Sequence, residues 1–195
     1  MKNMVNRIER EIVDSIEVKK EILKDKELLS TLATMANQIA ASLKNNGKIL
    51  ICGNGGSASD ALHIAGEIVG RFQKERNAYP AIALNSDVAT MTAIANDYGY
   101  NQVFSRQVEG LMRPGDILLG ISTSGNSKNV IKAVEKAHEI GGKAFLLTGK
   151  SGGKLKDVCD LKIIVPSNVT AHIQEAHICL YHILCGLIED AMIGE

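Results

Sequence analysis

The sequence contains no tryptophan, only three phenylalanines and four tyrosines, and three prolines among its 195 residues. Neither sign of charge is in excess, because 22 Lys and Arg residues balance 22 Asp and Glu residues. Such a chain lacks the surplus positive charge of proteins that bind nucleic acid or anionic membranes. It also lacks a signal-peptide pattern at its start and an apolar run long enough to span a bilayer. We therefore expect a cytoplasmic protein with neither nucleic acid nor membrane as a partner.

Cysteine is scarce as well, and its spacing excludes the common structural zinc motifs. The four cysteines, Cys52, Cys159, Cys179 and Cys185, include no pair at the short spacing of metal-binding knuckles. We expect all four to be buried free thiols, which is the ordinary state of cysteine in an intracellular protein.

What is present is an alternation of strand and helix patterns. Residues 1–46 predict two helices, the first with an apolar stripe at Val5, Ile8, Ile12 and Ile16 that must be covered by its own domain or by another subunit. From residue 47 onward, short apolar strands alternate with helical stretches, which predicts a parallel sheet with helices on both faces. We predict one α/β domain over residues 1–195, with residues 1–46 used in packing or oligomerisation and residues 47–195 forming the core and the last helix. The predicted strands are Lys48–Cys52, Ala81–Leu84, Ile117–Ile121, Lys143–Thr148 and Leu161–Val165.

The stretch that follows the first strand is the most informative in the chain. Three glycines and two serines lie between Gly53 and Ser59, directly before a helical pattern. Glycine lets the backbone approach a ligand closely, and Ser57, Ser59 or Asp60 can cap a helix whose free N–H groups favour an anion. We interpret this loop as a phosphate site, the alternative being a plain strand-to-helix turn. On the helix, His63 and Glu67 are four residues apart and share a face, as an acid–base or metal pair requires.

A second polar loop, Ser122–Ser127, follows the third strand and precedes the helix Lys128–Glu139. Hydroxyl and backbone N–H groups at a helix start bind phosphate oxygens, so we favour a second phosphate contact over a solvent-exposed turn. Asn96 and Asp97 are an even choice between a helix-ending turn and a pair that holds sugar hydroxyl groups.

The last helical stretch, Thr170–Ile193, carries an unusual set of polar residues on an apolar background. A glutamine, a glutamate and two histidines lie within three turns, at Gln174, Glu175, His177 and His182. On an ideal helix His177 lies about 60° to one side of Gln174 and His182 about 80° to the other, so spacing does not choose between the two histidines.

Taken together, these motifs resemble a known family. The segments Gly53–Ser57, Ser122–Ser127 and Ile173–His177 are similar to those of the sugar isomerase (SIS) domain proteins, and nearly the whole chain resembles the phosphoheptose isomerases among them. The resemblance implies conversion of sedoheptulose 7-phosphate to D-glycero-D-manno-heptose 7-phosphate through an enediol or enediolate. This reaction is the first step toward nucleotide-activated heptose for bacterial surface polysaccharide. It also implies a homotetramer with active sites between subunits and one Zn²⁺ per subunit.

The resemblance also assigns roles to single residues. Glu67 and His182 match the general base and general acid, and His63, Glu67, Gln174 and His182 match the metal ligands. The positions that match substrate contacts are Asn54, Gly55, Gly56, Ser57, Arg71, Asn96, Asp97, Ser122, Thr123, Ser124, Ser127 and Gln174. One departure is His172, where many relatives carry arginine.

A different class of function shares the same loops and fold. Some SIS domain proteins are interaction or regulatory proteins, and others sense a phosphosugar without turning it over. The joint presence of His63, Glu67, Gln174 and His182 favours the enzyme.

Overall fold

The computed structural model describes residues 2–194 and is built on a five-stranded parallel sheet. All five predicted strands form, with ends within one residue of those predicted, and their order is β2-β1-β3-β4-β5. The chain therefore reverses direction across the sheet between β1 and β3, and in open α/β sheets ligands bind at such a reversal, beyond the carboxyl ends of the strands. The strands are β1 Ile49–Gly53, β2 Ala81–Ala83, β3 Ile117–Ser122, β4 Lys143–Gly149 and β5 Leu161–Val165.

The helices cover both faces of the sheet. Side chains alternate between the two faces along each strand, so apolar strands present an apolar surface on each face that a helix must cover. Ile49 and Ile51 of β1 pack into a cluster with the second, third and last helices, whereas Leu50 and Cys52 pack on the opposite face. The helices are α1 Lys2–Lys24, α2 Lys26–Lys44, α3 Gly56–Val69, α4 Val88–Tyr98, α5 Ser105–Leu111, α6 Lys128–Ile140, α7 Leu155–Val158 and α8 Thr170–Ile193.

The two leading helices form as predicted but differ in burial. The apolar residues of α2, among them Leu32, Met35 and Ile39, lie in the core against α8 and the sheet. The stripe of α1 stays at the surface, with Ile8 and Ile12 exposed by 58% and 56%.

Helix α8 has the bounds that the sequence predicts. Among residues 2–194 it is the one helix long and apolar enough to cross a bilayer. It packs against α2, α3 and β4, so its apolar composition is that of a central core helix.

The four cysteines are free thiols, and Cys52, Cys159 and Cys185 are buried as predicted. The prediction is wrong for Cys179, which is exposed on α8. Its side chain lies beside an apolar groove that α8 forms with α1 and α2, outside the packed core.

Candidate active site

The two polar loops lie side by side at the carboxyl edge of the sheet. Gly53 at the end of β1 pairs with Ile121 near the end of β3, so the first loop (residues 53–57) and the second loop (residues 122–127) leave neighbouring strands. A reciprocal amide pair joins them: Asn54 Nδ2 donates to Asn129 Oδ1 (3.0 Å), and Asn129 Nδ2 donates to Asn54 Oδ1 (2.8 Å). The Tyr100 hydroxyl also donates to Asn54 Oδ1 (3.0 Å). The Asn54 amide is thus fixed by residues outside its own loop.

The first loop starts its helix earlier than the sequence suggests. Gly55, with φ +58°, is the N-cap of α3 and makes no side-chain cap bond. The prediction that Ser57, Ser59 or Asp60 caps α3 is therefore wrong, because two glycines allow the chain to turn before the serines and place those side chains inside the helix. At the start of α3 the Ser57 N–H donates to the Asn54 carbonyl (3.0 Å) and the Ala58 N–H to the Gly55 carbonyl (3.0 Å), so the N–H of Gly56 is the one left to an anion among the contacts of this turn.

Gly56 allows a close approach between the first loop and the Gln174 side chain of α8. A Cβ at this position would lie 2.3 Å from Nε2 of Gln174. Gln174, a predicted ligand, therefore stands directly against the glycine-rich turn, and a larger residue at position 56 would require its amide to move.

The second loop presents hydroxyl groups to the same edge. The hydroxyls of Ser122 and Ser127 lie 2.9 Å apart, and Ser127 is the N-cap of α6 without a side-chain cap bond. Ser124 Oγ accepts from the backbone N–H of Asn126 (3.2 Å). Thr123, Ser124 and Ser127 are half-buried, so these hydroxyl groups can reach a ligand while the loop keeps its shape.

Two histidines and a glutamate converge on α3 and α8, two to three turns beyond the first loop along α3. One ligand atom from each of His63, Glu67 and His182 lies within 4.8 Å of those of the other two, and we call these three residues the ligand cluster. His63 Nε2 is 3.0 Å from Glu67 Oε1 and 3.3 Å from His182 Nε2. Helix α3 supplies the first two residues one turn apart, and α8 supplies the third.

A tyrosine orients the central histidine of the cluster. Tyr181, which is 1% exposed, places its hydroxyl 2.9 Å from His63 Nδ1. When Nδ1–H donates to the tyrosine oxygen, the lone pair of Nε2 faces the cluster, which is the tautomer that a metal ligand needs. Asp60, 6% exposed, lies nearby with Oδ2 lacking a partner. Burial raises the pKa of Asp60 to about 6, although His63 and Tyr181 oppose the shift.

The donor set of the cluster suits zinc. Two imidazole nitrogens and one carboxylate oxygen are typical of catalytic zinc sites, which use three protein ligands and leave a position for substrate or water. His63 Nε2 has both Glu67 and His182 within 3.3 Å, so the three ligand atoms already face one another. The residues present therefore fit the expected metal.

The structure separates the two histidines of α8 that spacing could not separate. His177 is fully buried, and its Nε2–H donates to the Thr148 carbonyl at the end of β4 (3.0 Å). Burial lowers the pKa of His177 to about 4 against the opposing effect of the Thr148 bond, so the ring is neutral at physiological pH. His177 faces the core, whereas His182 faces the ligand cluster.

The other predicted residues lie apart from the cluster. Arg71 is exposed and 3.6 Å from the Glu75 carboxylate. Asn96 and Asp97 are exposed on α4, where Asn96 Nδ2 donates to Asp97 Oδ1 (2.8 Å). His172, the departure from the family pattern, is buried and lies 3.6 Å from Glu11 of α1.

Several residues that shape the site escaped the sequence reasoning. Asp60, predicted only as a possible helix cap, lies on α3 one turn before His63, a spacing that could have suggested a role beside it. Tyr181 could have been suspected only as the neighbour of His182. Nothing local marked Asn129 or Tyr100, because they act on Asn54 through contacts between elements far apart in the chain.

Comparison with known proteins bears on these observations. Residues 13–149 match the model of the SIS domain. The phosphoheptose isomerase of Nitratiruptor sp. is 50% identical over 188 residues, which covers 96% of this chain and 100% of that protein. The chain belongs to the phosphoheptose isomerase family of SIS domain proteins. The expectation of a phosphosugar isomerase is thereby confirmed at the level of the family.

Solved structures of family members have the same fold. The phosphoheptose isomerase of Neisseria gonorrhoeae is 44% identical and superimposes with a TM-score of 0.90, covering 96% of this chain and 99% of that one. The corresponding protein of Francisella tularensis is 41% identical with a TM-score of 0.92, covering 96% and 98%. The predicted α/β fold with a five-stranded parallel sheet is therefore confirmed, including its two leading helices.

Proposed function

We propose that this protein converts sedoheptulose 7-phosphate to D-glycero-D-manno-heptose 7-phosphate in the cytoplasm, at the start of ADP- or GDP-heptose synthesis for a bacterial surface polysaccharide. The observation that carries the proposal is the convergence of His63, Glu67 and His182, the first two on the helix that begins at the first loop. Family membership supports the same substrate class. An aldose–ketose isomerase needs both features: a site for the phosphate and a proton-transfer group at the other end of the sugar.

Glu67 is the general base in this proposal, and His182 is the general acid. The base removes a proton from C1 of the ketose and returns it to C2 of the enediolate, while the acid moves protons on the adjacent oxygens. Glu67 is partly exposed on α3 and has only the His63 nitrogen as a side-chain partner among the contacts described above, so its carboxylate can reach a substrate carbon. Proton transfer by a positioned side chain typically accelerates a reaction about a hundred- to ten-thousand-fold.

The loops bind the phosphate and the sugar hydroxyl groups. The two loops end at the starts of α3 and α6 on the same edge of the sheet, where Thr123, Ser124 and Ser127 offer half-buried hydroxyl donors, while the Ser57 and Ser122 hydroxyls, each on a residue 3% exposed, are less accessible. Asn54, Gly55 and Gly56 contact the substrate through the first loop. The fixed amide of Asn54 supports this role, because a polar group held in advance loses less entropy when it binds.

Zinc, one ion per subunit, is held by His63, Glu67, His182 and the amide oxygen of Gln174 in this proposal. When bound, the ion supplies Lewis-acid polarisation of the sugar carbonyl. The ligand cluster supports the first three assignments. The assignment of Gln174 rests on the family resemblance, and the structure places its amide against Gly56 at the start of α3.

We further propose a homotetramer with active sites between subunits. The exposed apolar stripe of α1, with Val5, Ile8, Ile12 and Ile16 each 45–58% exposed, supports an interface, since such a face is costly to leave in water. The exposed positions of Arg71, Asn96 and Asp97 are consistent with contacts to a substrate that lies between two subunits.

The double variant Ile8→Lys/Ile12→Lys tests the assembly. Two charges on the stripe should dissociate the tetramer, because the partner face offers apolar contacts, and sedimentation velocity measures the change. Arg10→Glu, about 200° around the helix from Ile8, is the matched control and should stay tetrameric. An unchanged tetramer in the double variant would show that α1 packs elsewhere.

A turnover assay tests the function itself. The purified protein with Zn²⁺ should convert sedoheptulose 7-phosphate and leave unphosphorylated sedoheptulose unchanged, with product identified by NMR. Tight binding of the phosphosugar without turnover would instead identify a sensing module.

A further inference from the structure

A buried ion pair lies two helical turns from the ligand cluster and takes no part in the proposed chemistry. Arg76 Nε donates to Glu189 Oε1 (2.9 Å), and the two side chains are only 4% and 1% exposed. Removing two charges from water costs several kcal/mol per ion before their attraction is counted. A pair so fully buried needs many further hydrogen bonds, and the structure supplies them.

Glu189 binds a loop, and its carboxylate accepts three consecutive backbone N–H groups. These come from Phe72 (3.2 Å), Gln73 (2.9 Å) and Lys74 (3.0 Å). Burial alone would raise the pKa of Glu189, but these bonds and the one from Arg76 outweigh it and hold the pKa below its ordinary value. The carboxylate is therefore the ionised centre around which residues 72–74 fold.

Arg76 binds the end of α3. Its guanidinium donates to the carbonyl oxygens of Glu67 (2.8 Å), Ile68 (3.0 Å), Gly70 (3.1 Å) and Asn77 (3.0 Å). The last carbonyls of a helix lack partners within the helix and carry its partial negative charge, so a buried cation is well placed there. One of these carbonyls belongs to Glu67, a member of the ligand cluster.

The same loop also touches the other half of the cluster. The ring of Phe72 stacks on the imidazole of His182, with centroids 5.6 Å apart and planes 10° from parallel. Glu189 follows His182 by seven residues on α8, which places both side chains on one face of the helix, roughly 10 Å apart along its axis. A continuous set of contacts thus runs from Glu67 through Arg76, Glu189 and Phe72 to His182.

We propose that Arg76 and Glu189 are positioning residues that hold α3 and α8 at the separation at which His63, Glu67 and His182 meet on one metal ion, with Phe72 fixing the plane of the His182 ring. The inference rests on the proposed function. Partners beyond the direct ligands commonly change metal affinity or activity about 10- to 100-fold when removed.

The test compares Glu189→Gln with a control carboxylate of the same kind. Asp116, 2% exposed, accepts the backbone N–H groups of Lys48 (2.9 Å) and Arg113 (2.7 Å) and pairs with the Lys48 ammonium. It precedes β3, at the amino edge of the sheet, opposite the loops. Asp116→Asn therefore removes a buried, multiply bonded carboxylate far from the site.

Zn²⁺ affinity, measured by competition with a chromogenic chelator, is the main readout, with kcat and KM alongside. Glu189→Gln should weaken Zn²⁺ binding and lower kcat by about 10-fold or more with a smaller change in KM, whereas Asp116→Asn should lower Tm with Zn²⁺ affinity unchanged. If both variants lose Tm and neither loses Zn²⁺ affinity, the ion pair serves stability alone and the inference is wrong.

Phe72 keeps the inference testable if Glu189→Gln does not fold. Phe72→Leu retains apolar bulk on a half-buried loop position and removes the stacked ring, so the fold is spared. It should weaken Zn²⁺ affinity and kcat, and Phe72→Tyr should restore both. Unchanged values in Phe72→Leu, in a wild type that binds Zn²⁺ and turns over, would overturn the inference and leave the proposed function intact. A wild type without Zn²⁺ binding or turnover would overturn both.

Discussion

The contact between α3 and α8 has two ends of opposite character. At one end His63, Glu67 and His182 lie at the surface or half-buried, and Asp60 beside them keeps a carboxylate oxygen without a partner. At the other end Arg76 and Glu189 are buried and bonded in several directions within the chain. Chemistry needs polar atoms with free bonding capacity, whereas stability needs such atoms to be satisfied. Helices α3 and α8, together with the loop that follows α3, provide both conditions.

At the end formed by His63, Glu67 and His182, Glu67→Gln is the substitution with the largest expected effect on kcat. The amide keeps the size of the side chain but cannot accept a proton from carbon, so kcat should fall about a hundred- to ten-thousand-fold. Tm should change little, because the residue is partly exposed and its backbone bonds remain. Steady-state kinetics and a thermal melt measure the two effects. Near-wild-type turnover in a folded Glu67→Gln protein would remove this residue from the role of base.

His177 and His182 allow a buried histidine and a histidine of the ligand cluster to be compared on one helix, α8. The pKa of His177 is lowered to about 4 by burial, from an ordinary 6.5. Between these two pH values His177 binds a proton in the unfolded chain but stays neutral in the native protein. The free energy of unfolding therefore decreases as pH falls from about 6.5 toward 4. The loss amounts to roughly 3 kcal/mol in the free energy of unfolding.

Urea melts at pH 7.5 and pH 4.5 check this difference. His177→Gln should show a weaker loss of stability on acidification than wild type while retaining bound metal and turnover. His182→Gln should keep the wild-type pH dependence of stability that His177 causes and lose metal and turnover. The reverse pattern would show that His177, not His182, serves the site.

The phosphate loops are expected to act on binding more than on stability. Ser124→Ala should weaken affinity for the phosphosugar by about 1.5–3 kcal/mol, the range for hydrogen bonds to charged groups. Isothermal titration measures this change, with Ser86→Ala as control: Ser86 also lies in a turn after a strand and donates to the Ala83 carbonyl (2.8 Å). Equal loss of affinity for an unphosphorylated heptose would show that Ser124 does not contact the phosphate.

The smallest expected effect concerns the orientation of His63. Tyr181→Phe keeps the buried ring and removes the hydroxyl at His63 Nδ1, so Zn²⁺ affinity should fall about 10-fold. Tyr98→Phe is the control, because it also removes a tyrosine hydroxyl and keeps the ring, whose centroid lies 4.5 Å from Cζ of Arg106. Zn²⁺ affinity equal to wild type in Tyr181→Phe would mean that the imidazole is held by other contacts.

Much of the fold could be predicted because its signals are local. Each strand is a short apolar run, α2 carries a regular stripe, and α8 begins at Thr170 and ends at Ile193 as predicted. The start of α3 could not be placed, because capping serines and a glycine turn compete over a few residues and the helix begins at the glycines.

The candidate site likewise contains features that local sequence predicts and features that depend on tertiary contacts. The pairing of His63 with Glu67 follows from helical spacing alone. The choice of His182 over His177 does not, since it depends on which face of α8 meets β4 and which meets α3. The Arg76–Glu189 pair was out of reach for sequence reasoning, because its members are 113 residues apart and neither lies in a recognisable motif.

The central claim is that Glu67 carries a proton between neighbouring carbons of a phosphorylated heptose. The direct measurement is NMR of the product formed from sedoheptulose 7-phosphate in D₂O. A half-exposed carboxylate exchanges its proton with solvent, so wild type and His177→Gln should give heptose 7-phosphate with deuterium at C2, and Glu67→Gln should give almost no product. No product from wild type, or near-wild-type product from a folded Glu67→Gln protein, would contradict the account.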